Sequence, residues 1–431
     1  MVIDGGGMAP IGNRAVYTVA DQMVSSGQSL FISLVVTHSV GLTGVGAFAI
    51  AFVVYQILSA INRPLNGDPL TVGFSAAGPA DQRVAFGAAT GGAMLLGLVA
   101  AAVGVGAGMM IEGFSMGPIG PVLIAFALGS PAILLQDAWR CVFFTAAAPA
   151  RALVNDVLVL IALPPACFIA LKVAPHSAAG LVAAWCAATA VGAGAGAWQA
   201  KVLPDLRRGF QWWRSTMHFG AKVLGENLIS NFAYSAGLTT VAVVSSVASL
   251  GRLRTAQVAS NAANPLSLGL GTIVLADGTR LLAHTPERFP RLMVLACTGS
   301  FLVASGISIA WYALPTGLGT VVVGSTWPVS RPLVLGAGAY VAGSAVTIVL
   351  SAGLRAMRFP ATALKTRALI APVTMVASVT GAALWGPGGA IGGIAAAEWL
   401  YVAAIIPQFR AIWLEGRWRT QPSITREVAL L

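Results

Sequence analysis

Apolar runs of about twenty residues recur from Ala15 to Ile406, separated by short connections that hold nearly all the Lys and Arg. A run of ~20 apolar residues crosses a bilayer core of ~30 Å. A chain built this way is committed to the membrane, with little sequence left for a soluble domain. Twelve spans are read, near 15–37, 44–61, 85–109, 119–140, 152–172, 179–199, 220–242, 254–275, 292–313, 333–352, 368–386 and 388–408. Each is expected to be a helix, because every backbone amide in lipid needs an internal partner. No run has the ten-residue alternation of an outer-membrane barrel. The expected fold class is therefore an all-α integral membrane protein. The N-terminal MVIDGGGMAPIGNR lacks the basic region and short apolar core of a signal peptide, so the first span is expected to stay.

The basic residues set the topology. With the N-terminus cytoplasmic, twenty Lys and Arg fall in inside segments and four (Lys172, Arg252, Arg254 and Arg331) in outside ones, while Lys222 lies in a span. That bias predicts both termini in the cytoplasm of a multi-pass protein of the inner or plasma membrane. The net charge of +11 is accounted for by loops facing anionic lipid head groups, so membrane lipids are expected partners and nucleic acid is not. The four cysteines (Cys141, Cys167, Cys186, Cys297) lie in or beside apolar spans without metal-ligand spacing, and the four histidines are scattered, so no metal is expected. No G-x-x-x-x-G-K-[ST] loop and no catalytic constellation is present, so neither a cofactor nor an enzymatic activity is expected.

The longest polar connection, AKVLPDLRRGFQWWRSTMHF at 200–219, divides the chain into lobes at 1–199 and 220–408, with a tail at 409–431. It reads as a basic cytoplasmic linker. The halves match weakly but in order. Asp21-Gln22 parallels Glu226-Asn227, and Gly44 parallels Gly251. Arg140, Phe144 and Arg151-Ala152-Leu153 recur as Arg355, Phe359 and Arg367-Ala368-Leu369. Gly180 parallels Gly393. Six spans is an even number, so the halves insert in the same orientation as parallel repeats, an architecture suited to alternating access.

An ionisable residue at membrane depth costs several kcal/mol and marks a candidate site. Lys222 and Glu226, at i,i+4, are expected to pair. Asp137 and Arg140, at i,i+3, read as a gate or a structural pair, and Asp156 as a structural partner of Arg151. Asp21 and Glu226 hold equivalent repeat positions. With Gln22, Gln28, Asn227 and Asn231 they form polar stripes, open to two readings: a central cavity lining or helix–helix hydrogen bonding. Glu398 is isolated, and its role is left open.

ADQMVSSGQSLFISLVV followed by Gly44-Val45-Gly46-Ala47-Phe48-Ala49 resembles the opening of polysaccharide-export proteins of the MATE/MOP superfamily. LGRLRTAQVASNAANPLSLG at 250–269 resembles the start of their eighth helix, and the Arg…Phe…Arg junctions at 140–153 and 355–369 fit their helix 4–5 and 10–11 turns. The resemblance implies a twelve-helix, two-lobed flippase that moves a polyprenyl-diphosphate-linked oligosaccharide, a cell-surface polysaccharide precursor, to the outer leaflet. Its implied partners are that lipid-linked anionic sugar and the glycosyltransferases or polymerase of the same pathway. Carrying a diphosphate through hydrocarbon needs basic or donor groups. Lys222, Arg254 and Gln257 are candidate substrate contacts beside the two polar stripes, and Arg14 and Arg252 candidate groups at the mouths. Two other readings stay open: a multidrug or organic-cation exporter of the same superfamily, which favours an acid-rich cavity, and a membrane-embedded glycosyltransferase or polymerase, which needs a long outside loop.

Overall fold

The computed structural model describes residues 11–114, 117–323 and 326–421, all as helices and their connections, with no strand among them. The first six expected spans are present as helices. α1 is Ile11–Ser39 and α2 is Leu42–Asn62. A π-helical turn at Arg63–Gly67 joins α2 to α3, Asp68–Phe74. α4 is Pro79–Gly113, α5 Ile119–Thr145, α6 Pro149–Val173 and α7 Ala178–Ala200. The seventh span is α8, Leu206–Val244, and the eighth is α9, Val247–Ser260, continued by α10, Asn264–His284. The ninth is α11, Phe289–Ala313. Two short helices, α12 (Thr316–Val323) and α13 (Trp327–Ser330), lead into α14, Val334–Ala356. α15, Pro360–Leu414, holds the last two spans, broken where Trp385 (φ −133°) and Gly386 (φ +62°) leave helical geometry.

Nine of these segments are long and apolar enough to cross a bilayer, counting α15 once. α1 and α8 fall outside that count because their polar residues lower the mean hydropathy. Together these helices match the twelve expected spans, and the protein is all-α and multi-pass.

Local chemistry sets the boundaries. Pro79, Pro149 and Pro360 open helices at positions whose amide would be unpaired anyway. The Ser177 and Ser246 hydroxyls accept from the amides of Gly180 and Ser249, capping α7 and α9. Lys201 ends α7 in a left-handed conformation.

The described residues fall into two compact units, divided between Ala221 and Lys222. In the first, α5 is the hub, packed against α2, α3, α4, α6 and α7. Its core gathers Ile32, Val36, Phe48, Val122, Phe126 and Trp185. Trp185 has four aromatic neighbours: Phe48, Phe52, Tyr55 and Phe126. In the second unit α14 is the hub, against α9, α10, α11 and α15, over a core of Leu238, Val241, Leu253, Trp327, Ile391 and Ile394. The fourth span of each repeat is thus the centre of its own unit.

Three expectations need correction. Residues 200–219 are not a loop. The chain is helical again from Leu206, and this first part of α8 belongs to the first unit. Its polar and aromatic side chains hid a period of 3.6: Trp212, Thr216 and Phe219 are buried, while Arg207, Phe210, Gln211 and Arg214 are exposed. The backbones of α4 and α8 touch here. A Cβ on Gly91 would lie 2.0 Å from the Asp205 carbonyl oxygen, and one on Gly209 2.4 Å from the Gly91 carbonyl carbon. Only glycine permits that approach. The second span does not end near residue 61. It runs through the π-turn to Phe74 despite Arg63 and Asn66, because both find polar partners inside the bundle. The last helix runs to Leu414 with Ile412 buried, past the expected tail start at 409.

Candidate functional site

Two buried polar clusters, one per unit, hold every ionisable side chain singled out within the apolar spans except Lys222. In the first unit, the Arg140 guanidinium on α5 donates to Asp21 Oδ2 on α1, from Nη2 at 2.6 Å and Nε at 3.2 Å. Arg140 Nε also lies 3.4 Å from Asp156 Oδ2 on α6, and its Nη1 lies 4.0 Å from Asp137 Oδ1. Asp21 and Asp156 are 0% exposed and Arg140 5%. Asp137 has a nearer cation in Arg63, on the π-turn, at 3.3 Å. Asn62 donates to Asp137 Oδ2 at 3.0 Å, and Gln136 donates to Asp156 Oδ1. The π-turn matters because it sets Asn62, Arg63 and Asn66 beside α5, and such bulges are frequent at functional sites.

These five charges comprise three carboxylates and two guanidiniums.

In the second unit, the Glu226 carboxylate on α8 accepts from Arg355 Nη2 at 3.2 Å, Ser351 Oγ at 2.6 Å and Tyr401 Oη at 3.4 Å. Arg355 Nη2 also reaches Asn227 Oδ1 at 3.4 Å. A second pair lies nearby. Arg367 Nη1 and Nη2 fork onto Glu398 at 2.8 and 3.2 Å, and Thr347 Oγ1 donates to Glu398 at 2.7 Å. The Arg367 guanidinium stacks 3.7 Å from the Tyr401 ring centre. Such bidentate, stacked geometry is the arrangement for which arginine is suited and lysine is not. Arg367 and Glu398 border a small cavity, about 10 Å³ open to the centre of a water molecule, with Ser230, Tyr234, Tyr340 and Thr374. That is room for about one water. Tyr234 and Tyr340 stack with ring centres 4.6 Å apart, and Gln257 Nε2 donates to Tyr234 Oη at 2.6 Å.

The sequence register that matches Asp21 to Glu226 and Arg140 to Arg355 thus matches two ion pairs. Each repeat ties its first span to its fourth by an acid on one and an arginine on the other. The pairing of the two arginines with the two acids was not read from the sequence.

Several expectations change. Glu226 takes as a counter-charge Arg355, which the expected pairing with Lys222 one turn earlier did not include, because α14 brings a guanidinium to the buried face. Lys222 is half-buried. Asp156 meets Arg140 and Gln136, not Arg151, which is exposed at the start of α6. Asp137 pairs chiefly with Arg63. Gln28 is buried and donates to the Asp156 backbone carbonyl at 2.7 Å, a helix–helix bond. Gln22 is buried, and its Nε2 has no hydrogen-bond partner among the described residues. Asn231 is exposed and donates to the Asn227 carbonyl one turn back, at 2.9 Å. Arg14 is 8% exposed, not at an open mouth, while Arg252 and Arg254 are exposed on α9. Arg63, Asn62, Asn66 and Tyr401 were missed. Their signal was the RPLNG break in an apolar run and a tyrosine one turn from Glu398. Among the described residues, no three His, Cys, Asp or Glu gather as a metal site.

No protein-family model and no curated protein matches the sequence. Solved structures match almost the whole chain. An outward-facing multidrug resistance MATE family transporter of the MOP superfamily aligns with a TM-score of 0.81 at 12% identity, over 94% of this chain and 95% of that one. A MATE structure in the straight conformation aligns at 0.80 and 12% identity, over 95% and 96%. A MOP superfamily transporter from Pyrococcus furiosus, for which a reversed pocket polarity suggests a different function, aligns at 0.75 and 14% identity, over 94% and 95%. The chain therefore has the fold of the MATE transporters of the MOP superfamily.

Proposed function

We propose that this protein is a transporter working by alternating access, and that it flips a polyprenyl-diphosphate-linked oligosaccharide across the cytoplasmic membrane. Transport is supported by the fold and by the repeated acid–arginine pair, which gives each unit a polar latch between its first and fourth spans. In this reading both termini and residues 200–219 are cytoplasmic, and the partners are the lipid-linked anionic sugar and the enzymes that make and polymerise it.

One observation carries the choice of substrate. Asp21, Asp137, Asp156, Glu226 and Glu398, the five acids buried in the clusters, each lie within 4.0 Å of an arginine nitrogen. They are occupied as counter-ions and are poorly placed to attract an organic cation. Arg252 and Arg254 are exposed on α9, so basic groups are on offer to an anionic substrate. A diphosphate gains about 1.5–3 kcal/mol from each charged hydrogen bond. The second reading, organic-cation export, is favoured by the likeness to a multidrug transporter. The reversed pocket polarity of the Pyrococcus furiosus transporter suggests that the shared fold does not by itself fix substrate charge.

The test is transport in proteoliposomes, with a fluorescent lipid-diphosphate-sugar in one set and an organic cation in another. Flipping that falls at least tenfold in Arg254→Ala, with insertion unchanged, supports the flippase. Cation export unaffected by Arg254→Ala, with no flipping, establishes the exporter instead.

A further inference from the structure

The start of α8 pairs an exposed basic and apolar face with a hydrogen-bonded line into the first unit's buried cluster. The exposed residues Arg207, Phe210, Gln211 and Arg214 recur at i, i+3, i+4 and i+7, so they share one face. Lys201 is exposed just before it, and its carbonyl accepts from Arg83 Nη2 at 3.5 Å. Trp198 and Leu203 beside it are 80% and 78% exposed, and Phe210 is 58% exposed. Basic residues interleaved with large apolar ones, at the end of the α7 span, suit the boundary between head groups and acyl chains.

The opposite face is fixed. Besides the Gly91–Gly209 backbone contact, the Asp205 amide donates to the Gly87 carbonyl at 2.9 Å. Trp212 Nε1 donates to the Leu65 carbonyl at 3.2 Å, on the π-turn. Trp213 Nε1 donates to Asn66 Oδ1 at 3.0 Å, Asn66 Nδ2 to Asn62 Oδ1 at 3.0 Å, and Asn62 Nδ2 to Asp137 Oδ2 at 3.0 Å. Asp137 meets Arg63 and Arg140, and Arg140 holds Asp21 and Asp156. The π-turn stands in the middle of this line, with its backbone hydrogen bonds out of α-helical register.

We propose that residues 198–214 form a binding surface for anionic phospholipid head groups, and that its occupancy is transmitted through Trp213, Asn66 and Asn62 to the Asp21–Arg140 cluster. Lys201, Arg207 and Arg214 supply the charge, Trp198, Leu203 and Phe210 the apolar contact, and the asparagine line the coupling. The membrane's anionic lipid content then biases how tightly α1 is held to α5. The proposal does not depend on the identity of the transported substrate.

The full-length chain in nanodiscs of phosphatidylcholine, with or without phosphatidylglycerol, tests both parts without any transport assay. Retention of phosphatidylglycerol by native mass spectrometry is expected to weaken about five-fold per charge removed, so about 25-fold in Arg207→Gln/Arg214→Gln. Both side chains are exposed, so the variant keeps its fold. Amide exchange around Asp21 and Arg140 is expected to slow when phosphatidylglycerol is added to wild type. It should not slow in Trp213→Phe, which keeps the ring and the lipid surface but lacks the donor. Unchanged lipid retention in Arg207→Gln/Arg214→Gln overturns the surface, as does displacement of the lipid by inorganic phosphate alone, which marks a free-anion site. Exchange slowed equally in Trp213→Phe and wild type overturns the coupling.

Discussion

Replacing Arg140 by Met should cost more than the same change at its repeat mate, Arg355. Arg140→Met leaves Asp21 and Asp156, both 0% exposed, without their cation. Asp156 keeps Gln136, but Asp21 Oδ2 is bonded by Arg140 and Asp21 Oδ1 has no hydrogen-bond partner among the described residues. Removing one partner of a buried pair costs about 3–5 kcal/mol. Protonation of the orphaned acid sets a ceiling near that range. Holding a carboxyl of ordinary pKa ~3.9 protonated costs about 4 kcal/mol at pH 7, and about 1.5 kcal/mol at pH 5. The deficit therefore shrinks as pH falls towards the unfolded-state value and grows as pH rises. Arg355→Met is milder. Glu226 keeps Ser351 at 2.6 Å and Tyr401 at 3.4 Å, and the Arg355 side chain is already 16% exposed. The charged hydrogen bond to Glu226 is worth about 1.5–3 kcal/mol, and the longer one to Asn227 at 3.4 Å adds little. Equilibrium unfolding in mixed micelles at pH 5 and pH 7 measures both. Asp21→Asn/Arg140→Met should recover about 2 kcal/mol of the single-variant loss, as expected for residues in direct contact. Equal costs at Arg140 and Arg355, or a pH-independent Arg140 deficit, would refute the reasoning.

Other outcomes follow from packing and topology. Gly91→Ala drives a methyl into the Asp205 carbonyl at 2.0 Å, and should destabilise the first unit by at least about 1–3 kcal/mol and expose the start of α8 to limited proteolysis. Trp185→Ala removes the hub of four aromatic contacts and should cost about 3–5 kcal/mol, read by the same unfolding assay. Reporter fusions at Arg214 and Pro315 should report opposite sides of the membrane; the same side for both would break the positive-inside assignment.

The spans were legible because lipid enforces a simple rule: every run of about twenty apolar residues must close its own hydrogen bonds. That rule says nothing about where a helix ends once polar residues have partners. Leu42–Phe74 passes Arg63 and Asn66, and α8 begins at Leu206, because the bundle supplies groups that a sequence window does not see. The acids were legible one by one, since a charge in an apolar run is conspicuous. Their partners were not. Asp21 and Arg140 are 119 residues apart and Glu226 and Arg355 are 129 apart, so nothing local joins them. Only the internal repeat carried that information, in the matched offsets of acid and arginine. The nearer candidates were local, Lys222 four residues before Glu226 and Arg151 five before Asp156, whereas the arginines that meet these acids come from other helices.

The repeat also shows where the two units have diverged, and this yields a test of purpose. Glu398 lies five residues after Gly393, and Trp185 lies five after Gly180. Arg151 and Arg367 are likewise equivalent. One unit buries an Arg367–Glu398 pair where the other packs Trp185 among aromatic rings and leaves Arg151 exposed. The fold therefore tolerates an apolar solution at these positions. Replacing a buried ion pair by apolar residues of similar volume is often neutral or stabilising, whereas removing one partner costs about 3–5 kcal/mol. Arg367→Met/Glu398→Leu should stay within about 1 kcal/mol of wild type, while Glu398→Leu alone should lose several. Thr347 loses an acceptor, but its hydroxyl can turn to the carbonyl one turn back on α14. If stability is kept and transport is lost, the pair is held for function, because the cavity beside Tyr234 and Tyr340 has lost its only charged groups among the described lining residues. If the double variant is as unstable as Glu398→Leu, the pair is a structural requirement of the second unit and the comparison with Trp185 fails.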